Sequence, residues 1–148
     1  MCIRDRYKPT NASFWCVADL ECTGLEPERH EIIQIARVVI DTVEKIIIPG
    51  LTMSEYILPM RWDQRDHAAM KVNELTFEKL QAEGVSAKLA LTDFGSEVNW
   101  SETVLAAWGV DFEAKFLRDA FRRIDRVVPF TFKVVAVSYT HLTLPTKA

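Results

Sequence analysis

Phe14 to Glu21 joins an unbroken apolar run, Phe14-Trp15-Cys16-Val17-Ala18, to the triplet Asp19-Leu20-Glu21. An apolar run of aromatic and branched residues reads as a buried strand. Alternate side chains of a strand share one face, so Asp19 and Glu21 point the same way, about 7 Å apart along the chain. Like charges that close repel, and at the end of a buried strand they are also desolvated. Divalent cations remove that penalty, and Mg²⁺ or Mn²⁺ favour oxygen ligands of this kind. Two such ions roughly 3.5–4 Å apart can activate a water and stabilise a leaving oxygen in phosphodiester cleavage. Whatever fold this chain adopts has to carry that pair at a sheet end. An isolated Asp-x-Glu is equally compatible with a solvated strand edge.

The remainder of the chain supplies the partners such a strand needs. Thr23 to Glu28 is turn material punctuated by Gly24 and Pro27. Glu31 to Asp41 predicts a second strand, with Ile33, Ile35 and Val39 inward. Val43 to Ile48 predicts a third, resuming at Tyr56-Ile57-Leu58 after the Pro49-Gly50 break. From Asp63 the period changes toward helix: a short piece around Ala68-Ala69-Met70, then a helix capped by Thr76 and ended by Gly84. Ser86 caps a further helix, with Ala87, Leu89, Ala90, Leu91 and Phe94 on its apolar side. Thr103 to Trp108 reads as another buried strand, Phe112 to Ile124 as an amphipathic helix, and Phe130 to Ala136 as the start of a last strand. Strands, helices, strand, helix, strand is the pattern of an α/β domain with a mixed central sheet.

With 148 residues, 49% of them hydrophobic and 26% charged, the chain has material for one domain core and not for two. No apolar run is long enough for a transmembrane helix, and there is no secretory leader. A net charge of −3 argues against holding nucleic acid by bulk positive charge, but not against a nuclease whose metals supply the positive field. Three cysteines at irregular spacing fit neither a disulfide framework nor a zinc knuckle, so a reducing, cytoplasmic setting is expected.

The ends read differently from the middle. Met1-Cys2-Ile3-Arg4-Asp5 can be encoded by ATG TGT ATA AGA GAC. The reverse complement of that string translates as Val-Ser-Tyr-Thr-His, the run Val137 to His141. The string also resembles a transposon adapter used in sequencing libraries. Residues 1–5 and 137–148 are therefore read as translated adapter, leaving 6–136 as a partial domain whose native chain continued past Ala136.

From Phe14 to Leu25 the sequence resembles the first motif of the DEDD (DnaQ-like) 3′–5′ exonucleases, a hydrophobic strand followed by D-x-E-x-T-G. Glu31 to Ala36 is similar to the family's second strand, and Met70 to Thr76 to the segment before its mid-domain helix. The resemblance covers about residues 13–136. It implies a ribonuclease H-like fold whose last helix or helices are missing here. It also implies a two-metal (Mg²⁺ or Mn²⁺) hydrolase acting on the single-stranded 3′ end of DNA or RNA, with a polymerase as a candidate partner. Asp19 and Glu21 would be catalytic and metal-binding.

Aligning Phe112, Phe116 and Leu117 with the family's second motif puts Glu113 where the family has Asp. Trp108 and Gly109 replace its His and Asn. The added methylene of Glu113 moves its carboxylate by about 1.5 Å unless the backbone compensates. Asp111 is the fallback ligand, and both acids are also at home in a helix first turn.

By the same resemblance Thr23, Gly24 and Leu25 line the terminal nucleotide, Gly24 by close backbone approach. Leu25 serves either as a wedge against the base or as a core residue. The family's final His-x4-Asp or Tyr-x3-Asp is not found. His141 belongs to the adapter-like end, and His67 has no matching role. The fragment is therefore expected to be crippled, and a catalytically dead binding module is the competing reading. Cys22 reads as a small apolar filler. Arg118, Arg122 and Arg126 form either a phosphate-contacting row or a solvated face paired with nearby acids.

Overall fold

The computed structural model describes residues 12–131 and 134–137. Nearly all of both adapter-like ends, His141 included, lies outside them. Val137 is described, and its N–H donates to the Ala107 carbonyl at 2.9 Å.

The described residues form a six-stranded mixed sheet and four α-helices. Strand β1 (Phe14–Cys22) is flanked by β2 (Ile32–Asp41), antiparallel to it, and by β5 (Thr103–Ala107), parallel to it. β6 (Val134–Ala136) adds in parallel outside β5. The short β3 (Ile46–Ile47) and β4 (Met53–Tyr56) share the outer edge of β2, giving the order β3-β2-β1-β5-β6 with β4 also on β2. The helices are α1 (His67–Asn73), α2 (Phe77–Glu83), α3 (Ala87–Gly95) and α4 (Val110–Arg123). This is the expected α/β architecture, a mixed sheet flanked by helices.

The period-2 rule divides β1 cleanly. Cys16, Ala18, Leu20 and Cys22 enter the main core, where they meet Ile35 and Val39 of β2, Leu91 and Phe94 of α3, and Phe116 and Leu117 of α4. Trp15 and Val17 belong to the opposite face, with Val104, Ala106, Val135 and Val137. Asp19 and Glu21 continue that second row. A bulge sits beside Glu21, where Glu21 pairs with Gln34 but Cys22 pairs with Ile32. The extra residue, Ile33, lets the adjacent Ile32 and Ile33 both be buried and re-aims the end of β1.

The helix boundaries follow their caps. The hydroxyl of Thr76 accepts from Lys79 N–H, and that of Ser86 from Leu89 N–H, as expected for N-caps. Gly84 does end α2, but at φ −78° it is not in the left-handed region. A Cβ there would stand 2.3 Å from the Leu80 carbonyl oxygen, so close packing requires the glycine. Three expectations are corrected. Leu89 is 49% exposed, because only Ala90, Leu91 and Phe94 of α3 reach the core. The third strand is reduced to Ile46–Ile47, since the chain turns through Lys45 at φ 55°. β5 stops at Ala107, and Trp108 is exposed.

One buried ion departs from the apolar pattern. Arg37 of β2 is 5% exposed, donates to the carbonyls of Leu51 and Phe94, and lies over the Phe94 ring. Near it, Glu55 of β4 is pushed up to about 7, first by burial and then by a hydrogen bond with Asp93 of α3 and that residue's charge. Its folded value lies above the ordinary 4.5, so the folded chain binds the extra proton. The stability this adds is fully present below about pH 4.5 and is lost as pH rises through about 7. Glu55→Gln should therefore leave melting unchanged near pH 4.5 and stabilise the chain at pH 8 by roughly 1 kcal/mol, allowing for solvent screening. Parallel melting curves for variant and parent across that range would contradict the pairing.

Candidate active site

Asp19 and Glu21 leave β1 on the same face, Asp19 exposed and Glu21 half-buried. The next stretch of chain, 23–31, is fixed by a set of bonds that local sequence does not announce. Thr23 is fully buried, and its hydroxyl accepts from Glu31 N–H at 3.0 Å. Thr23 N–H donates to the Glu31 carbonyl, and Asp66 N–H to the Thr23 carbonyl. The Glu31 carboxylate accepts from the N–H groups of Met60 and Arg61, both at 2.6 Å. The Arg61 guanidinium donates to the carbonyls of Glu28 and His30, and Arg123 from α4 donates to those of Pro27 and Glu28. Asn73 of α1 donates to the Cys22 carbonyl at 3.2 Å. Apart from Thr23 and Glu31, eight positions apart, these partners are separated by 29 to 96 positions and carry no local motif.

Gly24 sits against the buried His30, whose Nδ1 accepts from Glu26 N–H. A Cβ on Gly24 would lie 2.3 Å from that imidazole. The glycine is thus required by the protein's own packing, whatever else approaches it.

The third carboxylate comes from the first turn of α4. Gly109 precedes that helix, and Glu113 is buried, 7% exposed, while Asp111 is exposed. Burial raises Glu113 above the usual carboxylate range and the charge of Asp19 adds to it, against an opposing bond from its own N–H. Glu21 is raised by burial and then by Asp19. The Cys22 thiol is pushed far up by burial, then by Glu21, Glu113 and Asp19. The charges of all three carboxylates thus act on the buried Cys22 thiol, and that of Asp19 acts on Glu113 as well.

Among the described residues no three His, Cys, Asp or Glu side chains stand close enough to hold an ion as they are. The donor set nonetheless suits a divalent cation. Glu113 Oε2 is buried without a hydrogen-bond partner, and both glutamates are destabilised by negative charge that a cation would neutralise.

Beside Glu21 opens a cleft of about 440 Å³. Its walls include Glu21, Gly24 and Leu25, Val72 and Asn73 of α1, and Phe112 of α4. Leu25 is 77% exposed, which settles it as a wall residue and not a core one. A second cavity of about 340 Å³, lined by Ile32, Leu91, Phe116, Arg61 and Arg123 among others, contains none of the three carboxylates.

A profile of the exonuclease family of the RNase T type matches residues 16–143. The chain belongs to this exonuclease family. It is thereby a DEDD exonuclease domain. An oligoribonuclease of Dichelobacter nodosus (strain VCS1703A) is 37% identical over 75 residues, covering 44% of this chain and 42% of the relative. The chain thus matches less than half the length of that curated relative. Among solved structures, exonuclease I with bound product superposes with a TM-score of 0.70 at 21% identity, over 80% of this chain and 27% of the other. E. coli exonuclease I in complex with a dA16 oligonucleotide gives 0.68 at 21% identity, over 77% and 24%. At this identity the likeness establishes the fold, which is the ribonuclease H-like one.

Other residues of the exonuclease domain resolve more plainly. Cys16 and Cys22 are free and buried, and the Cys16 thiol is pushed up to about 12 by burial. His67 is exposed at the start of α1. Arg122 pairs with Asp119, Arg126 donates to Thr92, and Arg118 lies over the Phe130 ring. The arginine row is therefore tied to protein groups. Among the described residues no helix is long and apolar enough to cross a membrane.

Gly24→Ala tests the locked loop. Overpacking against His30 should lower stability by about 1–3 kcal/mol, read by thermal melting. Adding His30→Ala should restore most of the loss. An unchanged melting temperature in Gly24→Ala would show that the imidazole does not constrain the turn.

Proposed function

We propose that this domain is a 3′–5′ exonuclease that hydrolyses phosphodiester bonds at the single-stranded end of DNA or RNA. The observation that carries the reading is the Asp19–Glu21 pair on one face of β1, with Glu21 lining a cleft and the orphaned Glu113 oxygen on an acid that the charge of Asp19 affects, in a chain of the exonuclease family. Two Mg²⁺ or Mn²⁺ ions held by Asp19, Glu21 and Glu113 would supply the activated water and the charge stabilisation that the reaction needs. Glu113 takes the place of the expected Asp, and its flexible side chain, rather than Asp111, is the third ligand in this reading. Asp19 and Glu21 are fixed in direction by the strand and by the adjacent bulge.

Gly24 and Leu25 offer the terminal nucleotide one wall of the cleft, with Phe112 and Val72 lining it as well. Thr23 acts behind them: its hydroxyl holds Glu31 and so keeps the wall in place. E. coli exonuclease I in complex with a dA16 oligonucleotide shares the fold, and the substrate form in this reading is a single strand.

A second reading, a silent module that binds nucleic acid without cutting it, is favoured by one observation: the three acids do not close into an ion cage among the described residues. Nucleotide release separates the two. Asp19→Ala should reduce Mn²⁺-dependent release from a 3′ end by at least about 10³-fold, while circular dichroism stays unchanged. Full activity in that variant would refute the carboxylate site. Binding with no release in the parent would leave the silent module.

A further inference from the structure

Between the start of β2, α3 and the second half of α4 lies the cavity of about 340 Å³ that contains none of the three acids. Its apolar walls are Ile32 and Ile57, Ala87 and Leu91 of α3, and Phe116 and Ala120 of α4. All six are buried or half-buried. Protein interiors hold few voids larger than a water molecule, because walls without neighbours forfeit dispersion contacts. A cavity of this size stands instead at the small end of those that take small molecules. Met60, the flexible apolar side chain at its border, is 83% exposed and so does not fill it.

The polar part of the border is rich in donors. Arg61 and Arg123 both line the cavity. Nη1 and Nη2 of Arg61 donate to the Glu28 and His30 carbonyls. Nε of Arg123 donates to Asp119, and its Nη2 to the Pro27 and Glu28 carbonyls. Those bonds leave Arg61 Nε and Arg123 Nη1 for a ligand. The carboxylates on the same border are already engaged: Asp119 pairs with Arg122 and Arg123, and Glu31 accepts from the Met60 and Arg61 N–H groups. Burial first, and then the charge of Arg123, hold Arg61 below its ordinary value, against the charges of Glu31 and Asp119. Two guanidinium groups that repel each other beside an apolar space suit an anion with an apolar body. A carboxylate head matches the flat guanidinium fork.

We propose that this cavity binds a compact apolar carboxylate, its hydrocarbon body between α3 and α4 and its head group on Arg61 and Arg123. The site lies against the loop that walls the cleft. His30 lines the cavity and presses Gly24, which lines the cleft, and both arginines hold the same loop by its carbonyls. A ligand drawn to the two arginines therefore steadies the loop from Pro27 to His30.

The test is a titration of the intact, isotope-labelled chain with octanoate at neutral pH, without nucleic acid or divalent ions, followed by amide NMR. The shifts should saturate and be confined to residues around the cavity. Hydrogen exchange should slow at His30 N–H, which donates to the Glu26 carbonyl. Octanol, the same body without the carboxylate, should bind about tenfold more weakly, and acetate, the head group alone, should not saturate. Ala120→Phe fills the cavity from α4 and should weaken octanoate binding by about tenfold. Ala87→Leu fills it from α3 and is read in its place if the first variant loses its dispersed spectrum. Octanol binding as tightly as octanoate, unsaturated shifts scattered over the surface, unchanged exchange at His30, or full affinity in the filled variant would overturn the proposal. Binding is read without nucleotide release, so its failure leaves the exonuclease reading untouched, and the reverse holds as well.

Discussion

Asp19 and Glu21 share one face at the end of a central strand, and Glu113 is brought to them by the first turn of α4. Burial raises the cost of ionising Glu21 and Glu113, and the charge of Asp19 adds to it. A protein selected only for stability would have no reason to keep three such groups together, since replacing a buried charge by an apolar group is commonly neutral or stabilising. Their coexistence makes sense where cations complete the site. The unpartnered Glu113 oxygen is the clearest mark of that incompleteness.

The scaffold around the acids is correspondingly rigid. The loop from Thr23 to Glu31 hangs from Arg61, Arg123, Asn73 and the Glu31 carboxylate, so the cleft wall formed by Gly24 and Leu25 is set by α4 and α1 as well as by β1. The buried Arg37 has a similar role further along β2. It links β2 to the end of α3 by donating to Phe94, and to the segment before β4 by donating to Leu51. Charged side chains with satisfied donors hold irregular backbone where apolar packing alone gives little direction.

Local signals in the sequence led to the right elements wherever one residue type decides the outcome. Thr76 and Ser86 cap the helices that follow them, the apolar run of β1 is buried, and the periodic face of α4 faces the core. Sequence failed where distant partners decide. Nothing in the neighbourhood of Thr23 shows that its hydroxyl is occupied by Glu31, or that Gly24 is pressed by His30. Arg37 looks like the polar position of an alternating strand, yet carbonyls 14 and 57 residues away let it be buried. Trp108 reads as a strand residue by composition, but the strand ends one position earlier because Gly109 begins the turn into α4. The carboxylates were legible as a pair from the period of two alone. The motif alignment favours Glu113 over Asp111, and the helix buries Glu113 and exposes Asp111.

Calorimetric titration of the metal-stripped chain with Mn²⁺ at neutral pH, in the parent and in the Asp19→Asn, Glu21→Gln double variant, tests the carboxylate metal site most directly. Saturable binding in the parent and none in the double variant is the expected result, with a rise in stability of about 1.4 kcal/mol at tenfold excess over Kd. Equal binding in both proteins, or none in the parent, would contradict it.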